Sequence, residues 1–167
     1  PEATFDVPDW SLTPGGFTAR LDGRAALNFG LAEGLKATTA GVLATDNGVL
    51  TYTPSRCLDV TVDKLELGEN DVFDVAGQAC ASSGALATVR EGGWRADVAL
   101  KDFSAGAPFL ALTVDQIQGR AVVTGSSAGL GLVADVTAAR VMDATTPRRF
   151  NPLSAVGRAT LKDEQWG

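Results

Sequence analysis

The sequence predicts an all-β protein, a curved antiparallel meander of about ten strands shaped as a groove or as a sandwich. Three observations predict it. One short phrase occurs four times: Leu21-Asp22-Gly23-Arg24-Ala25, Val75-Ala76-Gly77-Gln78-Ala79, Ile117-Gln118-Gly119-Arg120-Ala121 and Ala155-Val156-Gly157-Arg158-Ala159. It reads apolar residue, any residue, Gly, long polar residue, Ala. Successive side chains of a strand point to opposite faces, so the apolar residue, the Gly and the Ala share one face and the Arg or Gln takes the other. Small residues repeated on one face let a sheet bend, or let another group lie close to its backbone. The second observation is strand-period alternation between turn signals. The third is composition: aromatic residues are only 7% of the chain while Gly reaches 19 residues, so the apolar content is mostly Ala, Val and Leu. That suits thin strands better than one bulky core. The four glycines are unequally spaced, unlike a solenoid of fixed period.

The elements follow in order. Residues 1–16 read as a Pro/Gly-rich lead-in, because Pro1, Pro8, Pro14, Gly15 and Gly16 oppose regular pairing. Leu21, Gly23, Ala25, Leu27 and Phe29 then fall opposite Arg20, Asp22, Arg24 and Asn28, as in a half-buried strand. Val60 and Val62 alternate with Asp59, Thr61 and Asp63. Leu110, Leu112 and Val114 alternate with Ala111, Thr113 and Asp115. Leu130, Leu132, Ala134 and Val136 oppose Gly131, Val133 and Asp135. The segment from Val133 to Met142 could compete as a helix, but Val and Thr recur in it and no cap precedes it, so it reads as a strand. Asp46-Asn47-Gly48 is the strongest hairpin signal, since Asn-Gly supplies the positive φ angles of a tight turn. Glu91-Gly92-Gly93 is nearly as good, and Glu33-Gly34, Ser82-Ser83-Gly84 and Ser126-Ser127-Ala128-Gly129 are weaker. No linker or charge block interrupts residues 17–163. Residues 17–167 therefore read as a single β-domain, expected to be a section of a longer chain.

Charge and residue usage remove several function classes. The net charge is −6 and the isoelectric point is near 4.6. An acidic chain is poorly suited to nucleic acid, whose affinity rests on Lys and Arg meeting phosphates. The basic peak, Arg148-Arg149, is too short to make a polybasic patch for anionic membranes. No run approaches the ~20 apolar residues of a membrane helix. With no His in the chain, imidazole-based triads are excluded, and a cysteine nucleophile would lack its usual base. The stretch Gly125 to Gly129 lacks the Lys and the helix of a phosphate-binding loop. Glu69-Asn70-Asp71 with Asp74 lacks the alternating ligands and closing Glu of a calcium loop and reads as a solvated turn. Nothing singles out a carboxylate pair for glycoside hydrolysis among 20 acids. Trp10, Trp94 and Trp166 are dispersed, as strand-end anchors or core residues. Arg24, Arg120 and Arg158 share one place in the repeated phrase and form either a charged ladder outside a groove or three unrelated solvated positions. No enzyme activity, cofactor or metal is expected.

Cys57 and Cys80 are separated by 22 residues, with no other Cys in the chain. A zinc site would need carboxylates to complete it, which is unusual for a structural site. The leading reading is a disulfide and an oxidising compartment; the rival is two buried free thiols.

Some segments carry a family resemblance. They are Ala138-Ala139-Arg140-Val141-Met142-Asp143, Arg149-Phe150-Asn151-Pro152-Leu153 and Gly157-Arg158-Ala159-Thr160-Leu161. A further stretch runs from Pro54-Ser55-Arg56-Cys57 through Leu65-Glu66-Leu67-Gly68-Glu69-Asn70-Asp71 to Cys80. From about residue 17 the chain resembles AsmA-like proteins of the YdbH type, relatives of TamB and of type II secretion N proteins. The resemblance implies a Gram-negative envelope protein in the periplasm, its parent chain anchored in the inner membrane. It implies strands curled into an apolar groove that conducts phospholipid between membranes, with no bond chemistry. The implied partners are phospholipid or another acyl lipid, and the rest of the parent chain or other envelope proteins. Leu21, Leu27, Phe29, Val60, Val62, Leu110, Leu112, Val114, Leu130 and Leu132 are the expected groove-lining or core residues. Cys57 and Cys80 would staple two strands. The competing expectation is a structural or adhesive envelope or filament subunit with a closed core and a protein partner.

Overall fold

The computed structural model describes residues 1–29, 31–127, 129–162 and 165–166; of Phe29, Gln165 and Trp166 it describes the backbone. Among the described residues all regular structure is β apart from one 3-10 turn. The strands are β1 Glu2–Thr13, β2 Gly16–Phe29, β3 Ala32–Asp46, β4 Val49–Pro54, β5 Leu58–Leu65 and β6 Val72–Ala81. They continue with β7 Ala87–Arg90, β8 Gly93–Ala107, β9 Leu112–Ser126, β10 Gly129–Asp143, β11 Leu153–Lys162 and β12 Gln165–Trp166. The 3-10 turn, Pro108–Leu110, joins β8 to β9.

Every pairing is antiparallel, and the strands form one sheet. The order is a meander with one elaboration. One half of β3 pairs with β4 and the other half with β5. In the same way β8 pairs with β7 at its start and with β6 further along. Thus β4 with β5, and β6 with β7, each fill one ladder position. Twelve strands occupy ten ladder positions, against the about ten strands that the alternation and turn signals predict.

Turn chemistry explains most of the hairpins. Asn47 (φ 47°) and Gly48 (φ 77°) link β3 to β4 in a two-residue turn of the mirror-image type that matches strand twist. Glu91-Gly92 links β7 to β8. The Val133–Met142 segment lies within β10, as a strand. Two expectations are corrected. Glu33-Gly34 lies inside β3, where Gly34 (φ 64°) kinks the strand, and the β2–β3 ladder closes at the Phe29–Ala32 pair. The lead-in is part of the sheet, since Glu2–Thr13 pairs with β2 along its length. An edge strand tolerates proline where no ladder N–H is required. Pro8 sits at the register break between Asp6 and Asp9, and Pro14 lies in the turn that follows β1.

The sheet is a single curved layer. Substantial contacts between elements run between ladder neighbours, and among the described residues no large apolar side chain is fully enclosed. Accessible surface decides between groove and sandwich. The chain exposes 10283 Å², whereas a compact protein of this mass exposes about 7,800 Å². Yet the two faces differ. Along β2, Ala19 is buried and Leu21, Gly23, Ala25 and Leu27 are half-buried, while Thr18, Arg20, Asp22, Arg24 and Asn28 are exposed. With no second layer, that asymmetry follows from curvature: side chains on a concave face crowd one another. Register shifts bend the long strands, at Asp6/Asp9 in β1, Leu100/Phe103 in β8 and Val136/Ala138 in β10. Asp74, Asp102 and Gln116 take positive φ near such shifts.

Candidate functional site

The concave face carries an uninterrupted apolar strip at right angles to the strands. One row of register partners runs Trp10, Ala19, Leu43, Tyr52, Ala87, Ala96, Val123, Leu132, Leu161. It crosses nine strands, a path of about 38 Å at the usual strand spacing. A parallel row runs Leu50, Val89, Trp94, Gly125, Leu130. A third runs Leu58, Ala79, Leu100, Gly119, Val136, Gly157. No charged residue stands in these rows. The polar atom of Tyr52 is satisfied within the face, because its hydroxyl hydrogen-bonds the Thr39 hydroxyl.

The repeated phrase places its residues as predicted. Its Gly and Ala face inward in β2, β6, β9 and β11. Aromatic side chains lie over some inner-face glycines: Phe103 over Gly77 and Trp94 over Gly125, each within 2.4 Å of where a Cβ would stand. The glycines make room for these rings.

Of the expected lining residues, Leu21, Leu27, Val60, Val62, Leu112, Val114, Leu130 and Leu132 share the concave face by register. Leu110 does not. It lies in the 3-10 turn, 52% exposed, because Ala111 adopts the left-handed conformation and breaks the alternation. The side chain of Phe29 lies outside the described residues. Sequence reasoning placed Trp10 and Trp94 only as strand-end anchors or core residues, and did not single out Leu43, Tyr52, Val123 or Leu161. Val123 was hidden because Ala121-Val122-Val123 is apolar on both faces, and Trp10 because prolines flank it.

The convex face is polar and stitched across strands. Arg120 donates to both carboxylate oxygens of Asp97, and Arg140 does so to Asp115 at 2.8 and 2.6 Å. Arg158 pairs with Asp135 at 3.4 Å, Gln78 donates to Asp59 at 3.1 Å and Gln118 to Asp102 at 2.6 Å. In each case the donor reaches an Asp on the ladder neighbour that precedes it. The long polar residue of the phrase therefore has a shared structural role in three of four copies. Arg24, opposite Thr4, has no such partner among the described residues. These bonds hold Asp97 well below the usual carboxylate range, chiefly through Arg120, and lower Asp115 through Arg140. The Cys57–Cys80 disulfide lies on this face, joining the start of β5 to β6. It fits an oxidising, extracytoplasmic compartment.

Carboxylates elsewhere serve structure. Asp71 ties the β5–β6 connection by accepting from the Leu67 N–H and pairing with Lys64 at 3.0 Å, which pushes the Lys64 ammonium up to about 12. Asp143, buried at the end of β10, accepts from the Thr145 N–H and hydroxyl and from the Arg149 guanidinium. Among the described residues no three His, Cys, Asp or Glu side chains converge as metal ligands, and no helix is long and apolar enough to cross a membrane. No protein-family model, curated protein or solved structure matches this chain.

Proposed function

We propose that this chain is a section of a periplasmic groove that binds acyl lipid, above all phospholipid, on its concave face and performs no bond chemistry. One observation carries the reading: an apolar strip about 38 Å long that crosses nine strands, bears no charge and has no second layer over it. An acyl chain makes no hydrogen-bond demands, and each methylene moved out of water contributes about 0.8 kcal/mol. Such a strip holds lipid without a specific polar site. The reading agrees with the resemblance to AsmA-like proteins of the YdbH type, in which the groove would continue into the rest of the parent chain.

The test is uptake of a fluorescent phospholipid from detergent micelles. Wild type takes it up, and Leu132→Asp, which puts a carboxylate in the middle of the strip, abolishes uptake while keeping its β-sheet circular dichroism. Equal uptake by the variant, or none by wild type, overturns the reading.

A second reading, a structural or adhesive subunit, draws on the sheet edge. Glu2–Thr13 is exposed throughout, with Trp10 69% and Leu12 76% accessible, and one side of its backbone is unpaired among the described residues. Edges of this kind accept a further strand. Strand addition at β1 would also lengthen the groove, so this edge suits both readings.

A further inference from the structure

One rim of the groove carries an apolar point that the strip does not use. Strands β8 and β9 turn at Pro108-Phe109-Leu110, where Phe109 is 46% and Leu110 52% exposed. Two adjacent large apolar side chains at one loop tip present surface that is more stable out of water. The turn beneath them is tied to its neighbours. The Ala111 N–H donates to the Pro108 carbonyl at 2.9 Å, and proline has no N–H to satisfy. The Leu110 carbonyl accepts from the Arg149 guanidinium at 3.1 Å. The connection after β10 is fastened to the same point, since the Ala144 N–H donates to the Ala111 carbonyl at 2.9 Å. Asp143 neutralises Arg149 and anchors it. Arg148, next to it, is exposed and makes no ion pair among the described residues. Two arginines are too few to draw the chain to a membrane on charge alone. The fold sets Arg149 beside a turn 39 residues away, which brings its sequence neighbour Arg148 to the same rim, and apolar insertion with a neighbouring cation is the pairing of signals that holds proteins at a bilayer surface. Leu112 and Val114 follow directly on the concave face, so the turn leads from the rim onto that face.

Resting on the groove reading, we propose that the Pro108–Leu110 turn and Arg148 form a rim contact with an anionic lipid bilayer, Phe109 and Leu110 entering the headgroup boundary and Arg148 meeting phosphate. A protein partner is less suited, because a half-exposed pair on a three-residue turn offers far less area than a stable protein interface requires.

The experiment is flotation of the whole chain with vesicles of phosphatidylethanolamine and phosphatidylglycerol, and with phosphatidylcholine vesicles, beside micelle uptake of fluorescent phospholipid. Wild type floats with the anionic vesicles. Phe109→Asp and Leu110→Asp, both at exposed positions, each weaken flotation about tenfold, and Arg148→Glu weakens it about fivefold on anionic vesicles only. All three keep micelle uptake, which also shows that they fold. Uptake by wild type without flotation, or flotation unchanged in the Phe109 and Leu110 variants, overturns the rim contact and leaves the groove reading in place. Flotation without uptake supports the rim contact as a membrane site and overturns the groove reading.

Discussion

At the scale of single residues, identical phrases carry different loads. A Cβ on Gly119 would stand 2.1 Å from the Asp135 carbonyl oxygen, a backbone atom of β10 that cannot move without breaking its ladder. A Cβ on Gly157 would meet nothing within 4 Å. Gly119→Ala is therefore expected to destabilise by about 1–3 kcal/mol. Gly157→Ala is expected to be neutral or to stabilise by up to about 1 kcal/mol, through a less flexible unfolded chain. Urea unfolding of both variants checks the pair, and equal losses would contradict the packing described. Carboxylates paired with arginines set an acid limit. Asp97, Asp115 and Asp143 have folded pKa values lowered by their arginine partners. The stability they contribute is complete above the unfolded carboxylate value of about 3.9 and is lost as the pH falls through their lower folded values. Stability is expected to fall steeply below about pH 4, and less steeply in Arg120→Met, as read by urea midpoints across the acid range.

At the scale of elements, the disulfide spans the place where β4 gives way to β5 and β6 to β7. Those short strands have the weakest local support, since each pairs over only part of a long neighbour. Closing the 57–80 loop contributes about 3 kcal/mol in the chain-entropy model. Reduction, or Cys57→Ser with Cys80→Ser, is expected to lower stability by about that amount while leaving the other hairpins paired. Amide hydrogen exchange would show faster exchange confined to residues 49–90; unchanged exchange there would refute the staple role. Most of this level was legible in the sequence. Alternation located β2, β5, β9 and β10, and Asn47-Gly48 located a hairpin, because period and turn chemistry are local. The pairing of Glu2–Thr13 was not legible, since prolines forbid pairing only where a ladder N–H is needed, and that depends on which strand lies beside them. Leu110 was misplaced for a related reason: its alternation with Leu112 is intact in the sequence and is broken only by the left-handed Ala111.

At the scale of the whole molecule, the sequence could identify the apolar face but not what covers it. An apolar face reads the same whether a second layer seals it or leaves it open. The difference emerges only from the excess exposed surface and the ladder-only contacts. Nor could the sequence join Arg149 to Leu110, whose meeting depends on β9 and β10 lying side by side. The proposed function stands or falls with lipid on the open strip. The most direct measurement is native mass spectrometry of gently purified protein, with solvent extraction and lipid analysis of the same sample. Wild type is expected to carry adducts of phospholipid mass that are lost in folded Leu112→Asp and Leu132→Asp variants. A clean unliganded mass for wild type, with no phospholipid in the extract, would contradict it.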